Sequence, residues 1–281
     1  MQYEYGVMQG RLSPPECGRF QAFPRNSWRE EFALAKQVGF SYIEWIHDNY
    51  DEGANPIFFE AGRTELKQLK HEHGISTPAI CGDWFMDFPL IRCSEEERRV
   101  REEHLRKLLS IAREIGAWRI VLPFVDNSRI ETEEEKRTVL SILERTLPLA
   151  EQNRVEIHLE ADFAPLTFRR FLASIPHSSI KVNWDSGNSS GLGYVASEEF
   201  AAYGERIGSI HIKDRYRKPE GGIETRPLGT GSADFGDVFQ AIRSIGYKGG
   251  LTLQVARGIA GDEVNFLRTQ LNFLEPFAEL D

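Results

Sequence analysis

The sequence predicts an α/β fold, a closed (β/α)8 TIM barrel in which residues 1–281 form a single domain. Three observations lead to this prediction. Eight short segments have the composition of buried strands, helical patterns separate them, and a Gly or Asn stands at the recurring helix-to-strand junctions. An open doubly wound sheet is the alternative, but no GxGxxG motif follows the first predicted strand.

The strand predictions rest on short apolar runs bounded by turn-forming residues. They cover residues 4–9, 41–46, 76–81, 118–124, 155–160, 180–185, 207–212 and 250–255. The segments between them carry apolar residues at helical spacing, as in Val100, Leu108, Ile111 and Ile115. No linker or low-complexity segment interrupts this alternation, which favours one domain.

Helix boundaries are also marked in the sequence. Capping-box spacing occurs in three pairs, Ser27 with Glu30, Ser94 with Glu97, and Thr132 with Glu135. Residues suited to the left-handed position that ends a helix are Gly39, Gly74, Gly116, Asn153 and Gly246. Pro148 lies inside the fourth predicted helix, where its missing N–H favours a kink.

Composition limits the classes of function. The chain has 43 acidic and 34 basic residues, a formal net charge of −9, which argues against a nucleic-acid partner but not against a small phosphorylated substrate. Its three Cys are too few for a disulfide framework. The N-terminal residues lack a signal-peptide pattern, and the longest apolar run, residues 120–125, is too short for a membrane span. We therefore expect a cytoplasmic protein without a membrane partner.

The last four predicted strands each have an apolar face and a largely polar face. In a closed barrel the apolar set packs on the helices and the polar set points inward. The polar set places Glu160, Asp185, His211 and Gln254 at the C-terminal level, above His158, Asn183, Ser209 and Thr252. Active sites of such barrels lie at that level, so we expect the upper four side chains to meet there. The alternative is a polar plug whose groups satisfy one another.

These four upper residues are candidate metal ligands. One imidazole, two carboxylates and an amide oxygen suit a divalent ion such as Mn²⁺, Mg²⁺ or Co²⁺ better than structural Zn²⁺, which favours thiolates. We expect one divalent metal bound by Glu160, Asp185, His211 and Gln254, with Mn²⁺ favoured and Mg²⁺, Co²⁺ or Zn²⁺ as alternatives.

Several motifs resemble those of the sugar phosphate isomerase/epimerase family, the xylose isomerase-like TIM barrels. They are HLEAD (158–162), WDSGN (184–188), HIKD (211–214) and PLGTGSADF (227–235). The opening GVMQGRLSPP and the segment GFSYIEW resemble the hexulose-phosphate-isomerase-like branch. The resemblance covers almost the whole chain. It implies a metal-dependent isomerase or epimerase of a sugar or sugar phosphate, and the homodimers common in the family.

The family's Glu, Asp, His and Glu ligands fall on Glu160, Asp185, His211 and position 254, which is Gln here. A Gln has no ionisable proton, so Gln254 can act in catalysis only as a ligand or hydroxyl-holding group. Glu160 remains as the main acid/base, and one carboxylate can move a proton between C1 and C2 through an enediolate. Isomerisation therefore ranks slightly above epimerisation. Epimerisation needs a second acid, for which His47, Asp162 and Asp214 are candidates.

Five further residues are predicted substrate contacts: Gln9, Glu44, Asn188, Asp214 and Arg257. Asn188 stands where the family often has His. For Glu44 the alternative is a partner to a nearby Arg. For Asp214 it is a surface ion pair with Lys213 or a loop-orienting role, and for Arg257, a predicted phosphate or carboxylate anchor, it is a salt bridge.

Two other functions stay open at this point. Gln254 and the Asn at position 188 are also compatible with a sugar-binding barrel that has lost catalysis. An endonuclease-IV-like metal nuclease resembles the same barrel, but it uses about three metal ions and more His ligands. The chain has seven His in total and an acidic balance, and both disfavour the nuclease.

Overall fold

Eight parallel strands close into a barrel in the computed structural model, which describes residues 3–50 and 52–278. The strands are β1 (Tyr5–Met8), β2 (Tyr42–Ile46), β3 (Ala79–Cys81), β4 (Arg119–Phe124), β5 (Glu156–Ala161), β6 (Ile180–Asp185), β7 (Ile207–Ile212) and β10 (Leu251–Leu253). Their order around the barrel is β1-β10-β7-β6-β5-β4-β3-β2. The predicted (β/α)8 barrel is confirmed, with several strands shorter than predicted.

Helices surround the barrel and follow its strands. They are α1 (Glu30–Val38), α2 (Glu60–His73), α3 (Trp84–Asp87), α4 (Glu95–Ile115), α5 (Glu133–Asn153), α6 (Pro165–Ala173), α7 (Ser186–Leu192), α8 (Ala196–Tyr203), α9 (Phe235–Ser244) and α10 (Glu263–Ala278). An antiparallel hairpin of β8 (Asp214–Arg217) and β9 (Ile223–Arg226) lies between β7 and α9. Within the described part of the chain, no helix combines the length and apolar character needed to cross a membrane.

Two of the three predicted capping boxes are confirmed. The hydroxyls of Ser94 and Thr132 accept the backbone N–H three residues on, and the Glu at that position accepts the cap's own N–H. The prediction at Ser27 is wrong, because α1 begins three residues later at Glu30, after a turn, and has no side-chain cap. Each complete box satisfies two N–H groups that a helix start leaves open.

The predicted left-handed conformation is confirmed at four glycines and differs at one position. Gly246 adopts it with φ of 63°, directly after Ile245 has ended α9. Gly39, Gly74 and Gly116 cap their helices with φ of 106°, 70° and 76°. Helix α5 instead runs through Asn153, and Arg154 adopts the left-handed conformation with φ of 56°. The Asn153 side chain donates to the Leu149 carbonyl within the helix, so the chain turns one residue later. The same helix continues past Pro148.

The polar interior of the barrel depends on a register shift between β6 and β7. Val182 pairs with Ile207, but after the shift Asn183 pairs with Ser209 and Asp185 pairs with His211. Gly208 is the residue of β7 that this shift leaves without a pairing partner in β6. A Cβ there would lie 2.6 Å from the His158 ring, so this position faces the interior and not the helices as strict alternation predicted. The irregularity aligns the polar faces of the two strands.

Candidate active site

Three side chains at the C-terminal mouth of the barrel form a potential metal-binding cluster. One donor atom each from Glu160, Asp185 and His211 lies within 4.8 Å of the other two. The Nδ1 atom of His211 is 3.5 Å from Glu160 Oε2 and 3.9 Å from Asp185 Oδ2. All three residues are buried. The structure thus brings together three of the four predicted ligands.

Helix α7 orients the carboxylate of Asp185. This residue caps the helix, and its Oδ1 atom accepts the backbone N–H groups of Gly187 and Asn188, both at 2.8 Å. The other oxygen, Oδ2, is buried and makes no hydrogen bond within the described structure. A buried carboxylate oxygen without a hydrogen bond is costly, and the charged groups near this one are Lys213 Nζ at 3.5 Å and His211 Nδ1 at 3.9 Å, so its position beside His211 and Glu160 fits a bound cation.

The imidazole of His211 is oriented from below by Glu44. Its Nε2 atom lies 2.8 Å from Glu44 Oε1, which leaves Nδ1 facing the two carboxylates. Burial lowers the pKa of His211, but Glu44, Glu160 and Asp185 outweigh that effect and raise it to about 9. A carboxylate on the far nitrogen is a common way to fix a ligating imidazole. A cation at Nδ1 would displace a proton, which makes its binding dependent on pH.

The carboxyl of Glu160 is suited to proton transfer. Burial, and then the neighbouring Asp185, raise its pKa to about 7. Asn188 donates to its Oε1 atom at 2.6 Å and Asn183 donates to its Oε2 atom at 2.9 Å, so both oxygens are held. A carboxyl with a pKa near neutrality can take and return a proton.

The amide of Gln254 lies at the same mouth but faces Lys213. Its Oε1 atom accepts from Lys213 Nζ at 2.9 Å, and its Nε2 atom donates to Gln21 Oε1 at 3.2 Å. Lys213 is buried, with Nζ 3.5 Å from Asp185 Oδ2, so the predicted surface ion pair with Asp214 is wrong. The inward direction of Lys213 could be inferred from strand alternation, because Lys213 lies two residues after the inward-facing His211.

A cavity of about 260 Å³ opens above this cluster. Glu160, Asn188, Lys213 and Gln254 line its floor together with side chains that sequence reasoning did not select, Gln21, Asp83 and Arg215. Asp83 lies two residues after the end of β3, so its position just beyond the C-terminal end of a barrel strand was the available signal. A concave polar cavity of this size suits a small molecule.

The family model described as xylose isomerase-like TIM barrel matches residues 32–270 of the chain. The chain belongs to this family. The family resemblance inferred from the sequence motifs is therefore confirmed, and the match covers most of the chain.

Relatives of similar length match most of this xylose isomerase-like barrel. The putative L-ribulose-5-phosphate 3-epimerase SgbU of Haemophilus influenzae is 26% identical over 84% of the chain and 86% of its own length. The L-ribulose-5-phosphate 3-epimerase UlaE of Shigella flexneri is 25% identical over 93% and 90%. Among solved structures, the IolI protein with a zinc atom has a TM-score of 0.78 at 16% identity, covering 98% of both chains. An L-ribulose 3-epimerase has a TM-score of 0.75 at 16% identity, covering 99% of this chain and 95% of its own.

Two predicted substrate contacts, Gln9 and Glu44, lie beneath the cavity of this xylose isomerase-like barrel. The Gln9 Oε1 atom accepts the Ile46 N–H at 3.0 Å, and Glu44 contacts His211 and Arg119. Both side chains are fully buried and neither lines the cavity. Their polar atoms face the barrel interior, so substrate contact by either residue stays a prediction. The alternative stated for Glu44, a partner to a nearby Arg, fits the structure.

Arg257 does not lie in the cavity either. Its Nε and Nη1 atoms donate to the carbonyls of Phe20 and Ser13, at 2.8 and 3.1 Å. These carbonyls belong to the segment after β1, which packs beside β10 at the barrel mouth. In the structure Arg257 holds this segment in place, and its role as a phosphate or carboxylate anchor stays a prediction.

The three candidate second acids also lie outside the cavity lining. His47 is fully buried with Nε2 2.6 Å from His104 Nε2, and burial, followed by His104, lowers its pKa to about 3. Asp162 accepts the Asp126 N–H at 3.0 Å. Asp214, also predicted as a substrate contact, accepts three N–H groups of the 227–235 loop. These contacts fit the loop-orienting alternative, and the substrate role of Asp214 stays a prediction.

The Asp214 carboxylate is expected to hold this loop in place. It accepts from Gly229, Gly231 and Ala233 at 2.8–3.0 Å, and a Cβ at Gly231 would lie 2.2 Å from it. Replacing Asp214→Ala leaves three N–H groups without their acceptor, so we expect the free energy of unfolding to fall by about 3 kcal/mol. Urea unfolding measures this, with Glu220→Ala on the exposed hairpin turn as the control. A loss below about 0.5 kcal/mol for Asp214→Ala contradicts the assignment.

Proposed function

We propose that the protein is a metal-dependent isomerase or epimerase of a sugar or sugar phosphate, with Glu160 as the main acid/base. The observation that supports it most is the placement of Glu160 at the floor of a small polar cavity, next to Asp185 and His211. A carboxyl of near-neutral pKa beside a candidate cation site suits removal of a proton from a carbon next to a carbonyl. The named activities of SgbU and UlaE support the same reaction class.

Glu160, Asp185 and His211 would hold the divalent metal, and the Asp185 Oδ2 atom, which makes no hydrogen bond in the described structure, fits this role. Two carboxylates and one imidazole suit Mn²⁺, with Mg²⁺, Co²⁺ and Zn²⁺ as alternatives. The bound ion would polarise the substrate's carbonyl and hydroxyl oxygens and stabilise the negative charge of the enediolate. The zinc named in the IolI structure supports a divalent ion in this fold.

Proton transfer is assigned to Glu160. Its carboxylate takes the proton from the substrate carbon. The electron pair of that C–H bond becomes the C=C π bond of the enediolate, and the π pair of the former carbonyl becomes the negative charge on its oxygen. The Asn188 and Asn183 amides hold the two carboxylate oxygens in place during this transfer. The Glu160 carboxyl, whose proton exchanges with water, completes an isomerisation by donating a proton to the neighbouring carbon, while a hydroxyl proton moves from one enediolate oxygen to the other. Return of a proton from the opposite face completes an epimerisation.

The choice between these outcomes depends on position 254. Its Gln supplies no proton, which favours the one-base isomerisation. The names of SgbU and UlaE instead favour epimerisation at C3 of a ketose phosphate. The proposal therefore covers both outcomes, and the carbon that exchanges its proton distinguishes them.

A deuterium-exchange assay tests this function. EDTA-treated protein is incubated in deuterated water with L-ribulose 5-phosphate, L-ribulose and a panel of pentoses and hexoses, with and without Mn²⁺. We expect Mn²⁺-dependent deuterium at C3 for an epimerase, or at C1 or C2 for an isomerase, read by NMR. Exchange that is equal with and without added metal contradicts metal dependence. Absence of exchange in the whole panel contradicts catalysis.

The second candidate is a sugar-binding barrel without catalysis, and the neutral amide of Gln254 favours it. A sugar that binds, measured by calorimetry, but exchanges no proton in the same assay would select this alternative. A metal nuclease fits less well, because the metal cluster found in the described residues consists only of Glu160, Asp185 and His211. The acidic net charge of −9 also disfavours binding to DNA.

A further inference from the structure

The Lys213 side chain enters the candidate active site as a fixed cation. Its Nζ atom lies 2.9 Å from Gln254 Oε1 and 3.5 Å from both Asp185 Oδ2 and Asn188 Oδ1. The side chain is 7% exposed and lines the same cavity as Glu160. Of the three oxygens around this ammonium, only Gln254 Oε1 lies at close hydrogen-bond distance, which leaves donor capacity for a further oxygen.

The backbone and the stem of Lys213 are held in place by the start of α7. The hydroxyl of Ser186 accepts the Lys213 N–H at 2.9 Å and donates to its carbonyl at 2.7 Å. A Cβ at Gly187 would lie 2.7 Å from Lys213 Cγ, so the absence of a side chain there makes room for the stem. A cation fixed in this way needs little reorganisation when a substrate oxygen gains charge.

The hydrogen bond to Lys213 also bears on the role of Gln254. The amide oxygen, which is the only metal-ligating atom of this side chain, accepts from the ammonium. The amide nitrogen donates to Gln21 Oε1, which in turn accepts from Arg11. Both ends of the amide are thus used to hold its orientation, and its oxygen points to Lys213.

We propose that Lys213 binds the substrate oxygen that becomes negatively charged during proton transfer, and that Gln254 is a positioning residue for Lys213 and not a metal ligand. This inference rests on the proposed function and deepens it. It explains how a site with Gln at position 254 keeps a charged group on that side of the cavity. The substrate class is a hydroxy-carbonyl compound. Its oxygen must contact the Lys213 ammonium and also lie on the side of the cavity formed by Glu160.

A purely structural role for Lys213 would be to neutralise Asp185. The two roles differ in the Mn²⁺-loaded protein, because the metal then neutralises Asp185. In the Lys213→Met variant loaded with Mn²⁺, we expect the deuterium-exchange rate to fall by about 100- to 1,000-fold, mainly through kcat. We also expect Mn²⁺ to bind at least several-fold more tightly, since a like charge has been removed. Calorimetric titration measures this affinity and needs no turnover.

Lys218→Met is the matched control, because Lys218 lies on the hairpin after β8 and pairs with Glu224 outside the cavity. Its exchange rate and Mn²⁺ affinity should equal those of the wild type. Gln254→Met provides a second variant: we expect a lower exchange rate with Mn²⁺ affinity within threefold of the wild type. A tenfold loss of Mn²⁺ affinity in Gln254→Met would show that the amide is a ligand.

The outcomes separate this inference from the proposed function. A wild-type protein that exchanges no proton contradicts the proposed function, whereas the Mn²⁺ titrations still test the placement of Lys213 and Gln254. If the wild type exchanges and Mn²⁺-loaded Lys213→Met remains within threefold of it, the inference is overturned and the proposed function stands. Unchanged or weaker Mn²⁺ binding by Lys213→Met overturns the inference by itself.

Discussion

The Glu160→Gln variant is expected to exchange the carbon-bound proton of its substrate about 1,000-fold more slowly than the wild type, or not at all. The amide cannot accept a proton from carbon at accessible pH, although it keeps the size of the side chain and one oxygen. Deuterium incorporation in the presence of Mn²⁺ measures this effect directly. The proposed function requires a large loss, because Glu160 is the main acid/base.

Two measurements separate this loss from misfolding. The unfolding midpoint of Glu160→Gln should stay close to that of the wild type, since the side chain still meets Asn183 and Asn188. Glu156→Gln changes a carboxylate at the opposite end of β5 and should retain exchange within about threefold. If Glu160→Gln keeps more than a tenth of the wild-type rate, another group removes the proton and the assignment is wrong.

The Asp185→Asn variant is expected to bind Mn²⁺ about 100-fold more weakly than the wild type. Asn can keep the Oδ1 atom that caps α7 through Gly187 and Asn188, while an NH₂ group replaces the Oδ2 atom, which makes no hydrogen bond in the described structure. The helix cap therefore survives, and the change acts on the cation site. Loss of a supporting group around a metal ligand already costs about 10- to 100-fold, so loss of a ligating charge should reach the upper end.

Asp234→Asn is a matched control, because Asp234 caps α9 by the same kind of hydrogen bond, to the Asp237 N–H. We expect its Mn²⁺ affinity to equal that of the wild type. Calorimetry on both variants gives the comparison, and the unfolding midpoints show whether the caps are intact. Equal Mn²⁺ affinity for Asp185→Asn and the wild type would remove Asp185 from the proposed ligand set.

The sequence alone predicted the barrel and the level of its active site, because both depend on local periodicity. Alternation along a strand decides which side chains share a face, and helix-ending glycines decide where each strand begins. Glu160, Asp185 and His211 each belong to the inward-facing set of alternate residues on their strand, and the structure brings them together. The same alternation, continued past residue 212, points position 213 inward, but Lys213 was predicted only as the partner of Asp214 in a surface ion pair.

The tertiary structure decided which partners each polar group meets. Asp214 and Arg257 follow barrel strands, yet their charges face backbone groups of neighbouring loops and not the cavity. Gln254 reaches the mouth of the barrel, where its amide oxygen accepts a hydrogen bond from Lys213. Loop packing and the register shift between β6 and β7 set these contacts. Periodicity fixes the direction of a side chain, but its partner depends on atoms that lie far away along the chain.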